Sequence, residues 1–343
     1  MKIIRVFAIA ALVLGFSQDV FAKKIQVVTT LTDYAAVAKV IGGDKVTVNA
    51  ISEGDQDAHF VRPKPSYAVW VNKADLFVTT GLDLEMWAPA VLDKAANPKV
   101  LEGQVGYVAA ATGVNMLEIP AVKDRGQGGV HIYGNPHIGT GPLNMKVVAR
   151  NIATGLSKVD PANEAFYTAN AKAFNDELDR KMFGSELIPL LGSDTLTRLA
   201  ESGNLVSFLS SKTYKGKPMV ELLGGWMKQA MPLRGRKIVT YHKNWVYFSK
   251  TFGVEVVGEV EPKPGIPPSP KHVEDLITLM KEQKIPVIMA ANYFDENKVK
   301  HVAAAVDAKA VIVPMHVAGE PGVDDYFALV DLWINRLLEG LGL

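Results

Sequence analysis

Residues 24–51, with the sequence KIQVVTTLTDYAAVAKVIGGDKVTVNAI, contain one complete strand–helix–strand unit. Lys24–Thr30 is apolar and rich in β-branched residues, which is typical of a strand. Leu31–Ile41 predicts a helix that stops at Gly42-Gly43, and Val46–Ile51 predicts a second strand. Strands that alternate with helices indicate parallel β/α units in a sheet covered by helices.

The same alternation continues along the rest of the chain. The later predicted strands are residues 76–80, 237–241, 254–260, 286–290 and 310–313. A helical run from Pro161 to about Met182 lies between the two halves and is a candidate bridge. The predicted fold is therefore α/β, with two lobes that each contain a mostly parallel sheet covered by helices, joined by a long mid-chain helix.

The first residues have the features of a secretory signal. Lys2 and Arg5 supply positive charge, Ile3–Phe16 is strongly apolar, and Ala22 is a small residue suited to signal peptidase. An uncleaved membrane anchor is the alternative, but the apolar stretch is shorter than the about 20 residues that a span requires. We therefore expect cleavage after Ala22 and export of the remaining chain.

These patterns predict a domain order. Residues 1–22 form the signal peptide, and residues 23–158 form the first lobe. Residues 159–182 form the linking helix, and residues 183–343 form the second lobe.

Composition excludes several classes of protein. The net charge is +1, so no overall field favours nucleic acid or an anionic membrane. The chain has no cysteine, which excludes disulfides, thiolate metal sites and a lipid-modified N-terminal cysteine. Export without a lipid anchor or stable membrane insertion indicates a periplasmic protein, and we expect a monomer.

Three of the seven histidines are candidate ligands because of their positions, and two of them, His59 and His242, lie at the carboxyl ends of predicted strands. His59 follows the second strand, His137 precedes a helix, and His242 ends the strand at 238–241. Ligands of such folds lie beyond the carboxyl ends of the strands. Without thiolates, neutral imidazole is the best ligand for Zn²⁺ that this chain offers. Spacing alone leaves open the alternative that each is simply a hydrogen-bonded polar residue.

Four segments resemble a known family, the periplasmic zinc- and manganese-binding proteins of ABC transporters (cluster A-I). The segments, in family order, are DAHFVRPKPS at 57–66, GLDLEMW at 81–87, NPH at 135–137 followed by PLN at 142–144, and YHKNWVYF at 241–248. Together they are specific, and they span most of the chain after the signal.

The resemblance implies that His59 and His137 come from the first lobe and His242 from the second, at a metal site between the lobes. Asp57 and Asn135 lie close to two of these histidines in sequence and are candidate partners that orient their rings, with a general base at a zinc-bound water as the alternative role of Asp57. Manganese-binding members tend to have glutamate where this chain has His242, so the resemblance favours Zn²⁺ over Mn²⁺.

The fourth ligand is where this chain departs from the family. Members usually have an aspartate after the last strand, whereas residues 311–319 contain none. His316 lies next to that position and is the expected replacement. His131, water and a carboxylate remain alternatives, and His131 could be an accessory ligand. The segment of about residues 183–235 is also longer than the family's usual connection, and we expect it to be an insertion.

The function that the resemblance implies is periplasmic capture of Zn²⁺ and its delivery to an inner-membrane ABC permease, without enzymatic activity. A secreted zinc-dependent hydrolase is one alternative, because three histidines with an open fourth position also occur in hydrolytic zinc sites. A metal-linked adhesin is another. No HExxH, G-x-S-x-G or phosphate-binding glycine loop supports an enzyme.

Overall fold

Two four-stranded sheets, in which every strand pairing is parallel, organise the chain. They are seen in a computed structural model that describes residues 23–121, 131–263 and 265–343. The predicted signal peptide, residues 1–22, lies outside the described residues. The two sheets confirm the predicted α/β fold with two lobes.

The first sheet has the strand order β2-β1-β3-β4. Its strands are β1 (Ile25–Thr29), β2 (Val46–Ala50), β3 (Leu76–Thr79) and β4 (Tyr107–Ala109). The helices among them are α1 (Thr32–Gly42), α2 (Pro65–Asn72) and α3 (Ala88–Ala95). All four residues of β3 are buried, as expected for an inner strand that has helices on both faces.

The second sheet has the strand order β10-β9-β7-β8. Its strands are β7 (Lys237–His242), β8 (Glu255–Glu261), β9 (Val287–Ala291) and β10 (Lys309–Val313). The helices that follow these strands are α10 (Val246–Phe252), α11 (Pro270–Gln283), α12 (Glu296–Ala304) and α13 (Tyr326–Leu341). Every residue of β9 is buried, which explains its uninterrupted apolar sequence.

Two long helices lie between the sheets in sequence, α4 (Pro142–Val159) and α5 (Glu164–Phe183). They pack on each other, and α5 also packs on α1. A Cβ placed on Gly155 would lie 2.4 Å from the Val108 side chain, so this glycine allows α4 to approach the first sheet closely. At its far end α5 approaches the second lobe, where Lys181 forms an ion pair with Asp331 of α13.

The segment between α5 and β7 is built of short elements. These are α6 (Ile188–Leu191), α7 (Ser193–Glu201), α8 (Leu205–Ser211), the antiparallel hairpin β5 (Thr213–Tyr214) and β6 (Lys217–Pro218), and α9 (Gly225–Gln229). Leu196, Leu209 and Trp226 of this segment belong to the same buried cluster as residues of both lobes. It is therefore part of the core rather than a detached flap.

Three short strands were not predicted, the two strands of the hairpin at 213–218 and the edge strand of the first sheet. Tyr107–Ala109 is only three residues long and lies between Gly106 and an Ala-Ala-Thr-Gly stretch, so its sequence carries no clear strand signal. It is an edge strand that pairs only with β3. Among the described residues, none of the helices has the length and apolar character needed to cross a membrane.

We expect Trp226→Ala to lower the free energy of unfolding of the whole protein by about 3–5 kcal/mol, the usual cost of removing a large buried aromatic side chain. Trp226 is 1% exposed, and its Nε1–H donates to Asp331 of α13. Urea denaturation monitored by circular dichroism would measure the change. Tyr214→Ala in the exposed hairpin is the control and should shift stability by no more than about 0.5 kcal/mol. A normal stability for Trp226→Ala would contradict the assignment of this segment to the core.

Candidate metal centre

His59 is held by a short helical turn, Ala58–Phe60, beyond the carboxyl end of β2. Asp57 Oδ1 accepts hydrogen bonds from the His59 backbone N–H at 2.9 Å and from its Nδ1–H at 2.7 Å. The indole N–H of Trp87 donates to the Ala58 carbonyl and fixes the turn from the other side. A carboxylate cannot donate, so the neutral form of His59 carries its proton on Nδ1 and has a lone pair on Nε2.

His137 repeats the same arrangement in the segment before α4. Asn135 Oδ1 accepts from the His137 backbone N–H at 3.1 Å and from its Nδ1–H at 2.9 Å. The Asn135 amide nitrogen in turn donates to the Lys243 carbonyl in the second lobe at 2.8 Å, which fixes the orientation of the amide. Within the described residues, the Nε2 atom of His137 is buried without a hydrogen-bond partner.

His242 is the last residue of β7 and lies opposite Glu261 on the neighbouring strand β8. Its Nδ1–H donates to the Glu261 carbonyl oxygen at 3.0 Å. The side chain is 3% exposed. As with the two preceding histidines, this bond leaves Nε2 as the ring nitrogen available to another partner.

These three histidines, from distant parts of the chain, lie together. One ring nitrogen of each lies within 4.8 Å of one ring nitrogen of the others, and the ring centroids are 5.1–5.8 Å apart. The carboxyl ends of β2 and β7 therefore face each other across the contact between the lobes. Three largely buried imidazoles, each with one ring nitrogen near those of the others, form a nitrogen-rich pocket that suits a cation.

The loops that bear His137 and His242 also contact each other directly. The Tyr247 hydroxyl donates to the Asn135 carbonyl at 2.7 Å, and Thr140 Oγ1 donates to the Asn244 carbonyl at 3.1 Å. These bonds join the two lobes next to the histidines. They keep two rings from different lobes close together without requiring a bound ion.

His131 adjoins the three histidines on the side of His59. The two Nε2 atoms lie 3.2 Å apart, and the His131 ring centroid is 5.7 Å from that of His137. Asp83 accepts from His131 Nδ1–H at 3.1 Å and from the Ile132 backbone N–H at 3.0 Å. In the described part of the chain, the ring nitrogens that all lie within 4.8 Å of one another belong to His59, His137 and His242. His131 is not a member of this group.

His316 follows the last strand, β10, and is buried beside Asp33 of α1. Its Nδ1–H donates to Asp33 Oδ2 at 2.7 Å, and the backbone N–H of Val317 donates to Asp33 Oδ1 at 2.8 Å. The Asp33 carboxylate therefore connects the two lobes. His316 lies outside the group of three converging histidines in the described part of the chain.

Burial controls the protonation of the site. It lowers the pKa of His242 to about 4, and, reinforced by the rings of His59 and His242, it holds the pKa of His137 well below its usual value. Burial alone would also lower the pKa of His316, but the Asp33 carboxylate outweighs it and raises that pKa. Neutral imidazole, the form that binds metal, is thus favoured at His137 and His242.

Two buried carboxylates that matter here were not predicted, Asp33 and Asp83. Both lie just beyond the carboxyl ends of strands, after β1 and β3 respectively. The rule that ligands bind beyond the carboxyl ends of strands, which indicated His59 and His242, therefore applied to Asp33 and Asp83 as well. Each fixes a histidine from a distant segment, and that pairing has no signature in sequence spacing.

The chain matches the family model for ZnuA, the zinc-uptake complex component A, periplasmic, over residues 27–182 and 219–340. The match leaves out residues 183–218, which lie within the segment of short elements between α5 and β7.

Curated relatives cover nearly the whole chain. The manganese ABC transporter substrate-binding lipoprotein PsaA of Streptococcus pneumoniae serotype 4 is 25% identical over 332 residues, 95% of this chain and 92% of the relative. The iron-binding protein YfeA of Yersinia pestis is 25% identical, with coverage of 94% and 88%.

Solved structures share the fold. A zinc-bound deletion mutant of ZnuA has a TM-score of 0.67 at 22% identity and covers 93% of this chain and 98% of its own. The Mn-bound periplasmic metal binding protein of Candidatus Liberibacter asiaticus has a TM-score of 0.65 at 19% identity, with coverage of 93% and 100%.

The low pKa of His242 predicts that the metal-free protein becomes less stable in mild acid. The folded-state pKa of about 4 lies below the value of about 6.5 expected in the unfolded chain. Between these two pKa values the unfolded chain binds a proton at His242 that the folded protein does not bind. The free energy of unfolding therefore falls as the pH drops from about 6.5 toward 4. The loss from this one residue is on the order of 3 kcal/mol.

Urea titrations of the metal-free protein between pH 4.5 and 7.5 would measure this loss. His242→Gln cannot titrate and should weaken the pH dependence, leaving the contribution of His137, whereas His301→Gln, at an exposed position of α12, should leave it as in the wild type. An unchanged pH dependence in His242→Gln would show that this ring is not held neutral by the fold.

Proposed function

Because this chain belongs to the ZnuA family of periplasmic zinc-uptake components, we propose that it captures Zn²⁺ in the periplasm and delivers it to an inner-membrane ABC permease. The ion is bound between the lobes by His59, His137 and His242. It is cargo that the protein releases to the permease rather than a resident cofactor.

The convergence of these three histidines is the observation that carries the proposal. Nδ1 of each ring donates to a fixed oxygen, so Nε2 is the atom left to bind an ion at a common centre. The buried Nε2 of His137 lacks a hydrogen-bond partner among the described residues. Leaving such an acceptor unsatisfied costs about 1–3 kcal/mol, and a cation at the centre would remove that cost.

The donor atoms favour zinc over manganese. Imidazole nitrogen suits Zn²⁺, whereas carboxylate oxygens and water suit Mn²⁺. The nearby carboxylates Asp57 and Asp83 already accept hydrogen bonds from histidine Nδ1–H groups, so they act through the rings. PsaA and YfeA are named for manganese and iron, which makes metal preference the part of this proposal that most requires a direct test.

Location and partner follow from the family and the N-terminus. Cleavage after Ala22 would release a chain that starts at Lys23, just before β1. We propose that this mature chain is a periplasmic monomer, that it binds no nucleic acid, and that it acts by binding rather than by catalysis. The contacts between the lobes, on both sides of the histidines, would close the site around the ion.

We expect the purified mature protein to bind one Zn²⁺ per chain and to keep it when Mn²⁺ is in large excess. Competition titration with a chromophoric zinc chelator, followed by elemental analysis, measures both affinity and preference. His242→Ala should lower the zinc affinity by at least about 100-fold, since it removes a buried ligand and opens the site. His301→Ala, on the surface of α12, is the matched control.

Two results would overturn the proposal. If His242→Ala bound zinc as tightly as the control variant, His242 would not be a ligand. Preferential retention of Mn²⁺ when both ions compete would leave a metal-binding protein whose cargo is not zinc.

A further inference from the structure

Two Nε2 atoms lie face to face at the edge of the histidine group. His59 Nε2 and His131 Nε2 are 3.2 Å apart. The Nδ1 proton of each ring is committed to a carboxylate, Asp57 in one case and Asp83 in the other. In their neutral forms the two rings therefore present lone pairs to each other, an arrangement that is repulsive unless a proton or a metal ion lies between them.

The distance between these atoms matches that of two ligands of one metal ion. Nitrogens bound to a tetrahedral zinc ion at about 2.0–2.1 Å lie about 3.3–3.4 Å from each other. The ring nitrogens of His59, His137 and His242 spread over as much as 4.8 Å, so this group must contract around an ion. His131 touches His59 and would close in with it.

Asp83 gives His131 a fixed direction. Both of its oxygens are used, one by the His131 ring and one by the Ile132 backbone N–H, and its side chain is 2% exposed. Burial opposes ionisation of Asp83, but the hydrogen bonds from His131 and Ile132 outweigh it and lower its pKa. This carboxylate–histidine pair has the form of the Asp57–His59 pair, which orients a ring toward the centre.

His316 is used differently. The Asp33 carboxylate accepts from its ring and, through the other oxygen, from the Val317 backbone N–H. These two bonds run from the second lobe to α1 of the first. His316 is near enough to His137 to contribute to the lowering of its pKa, but His131 lies closer to the group, with its ring centroid within 5.7 Å of those of both His59 and His137.

We propose that His131 is the fourth ligand of the metal centre, that Asp83 is its positioning residue, and that His316 joins the two lobes through Asp33 instead of binding the ion. This inference rests on the proposed function, because it concerns the same centre. The ligands are then four neutral imidazoles, three from the first lobe and His242 from the second. Such a shell has no open position for a reacting water, which suits a carrier and not a hydrolase.

A direct test detects the bonds themselves. The mature protein, labelled with ¹⁵N-histidine and loaded with ¹¹³Cd²⁺ in place of zinc, should show metal–nitrogen splitting of four histidine resonances. We expect these to be His59, His131, His137 and His242, each assigned from the signal missing in its alanine variant. The Nε2 resonance of His316 should stay unsplit.

The possible outcomes separate this inference from the proposed function. Splitting at His316 but not at His131, or at His59, His137 and His242 alone, would overturn the fourth-ligand assignment and leave the metal centre intact. If none of these histidines showed splitting, the centre itself would be refuted.

Zinc affinities supply a second readout. We expect His131→Ala to lower the zinc affinity by at least about 10- to 100-fold, because loss of a residue that only hydrogen-bonds to a ligand already costs that much. Asp83→Asn should lower affinity within that range while the His131 splitting persists, because the ring remains present but is less well held. His272→Ala, on α11, where the ring bonds the Glu259 backbone carbonyl, is the control. Wild-type affinity in His131→Ala would contradict the assignment.

Discussion

The site depends on one repeated interaction, the hydrogen bond from histidine Nδ1–H to a fixed oxygen. His59, His137 and His242 donate to a carboxylate, an amide oxygen and a backbone carbonyl respectively. A neutral imidazole has a single proton, so fixing it on Nδ1 leaves a lone pair on Nε2. The same bond sets the plane of each ring. Without these acceptors the rings could rotate, and some of them would present an N–H group to the centre instead of a lone pair.

This arrangement is costly for the protein alone, and the cost explains its function. Buried neutral rings whose lone pairs converge repel each other, and the orphaned Nε2 of His137 is desolvated without compensation. The fold tolerates this because hydrogen bonds between the lobes, such as that from Tyr247 to Asn135, hold the two sides together. A cation that accepts all the lone pairs relieves the strain, so binding energy is concentrated where the ion sits.

Much of the fold and part of the site could be predicted from the sequence. The β-branched runs and helix stops of residues 24–51 define a parallel unit, and later repeats of that pattern extend it into two sheets. The carboxyl ends of β2 and β7 indicated His59 and His242. The strand at Tyr107–Ala109 was missed because three residues at a sheet edge need little intrinsic preference when a neighbouring strand supplies the pairing.

The rest of the site depends on contacts between segments far apart in the chain. Asp83 and His131 are 48 residues apart, and Asp33 and His316 are 283 apart. Nothing in local spacing tells which histidine a buried carboxylate will hold. The sequence favoured His316 as the fourth ligand, and the proposal of His131 in its place depends on contacts with His59 and Asp83 that spacing does not show. In the same way, the burial of Trp226 against α13 depends on how the segment after α5 folds back.

A crystal of the mature protein grown with one equivalent of zinc, with anomalous data collected at the zinc absorption edge, tests the central claim most directly. The account predicts a single strong peak between the lobes, about 2.0–2.1 Å from Nε2 of His59, His137 and His242. A peak elsewhere on the chain, or one bound through Nδ1 of any of these rings, would contradict it.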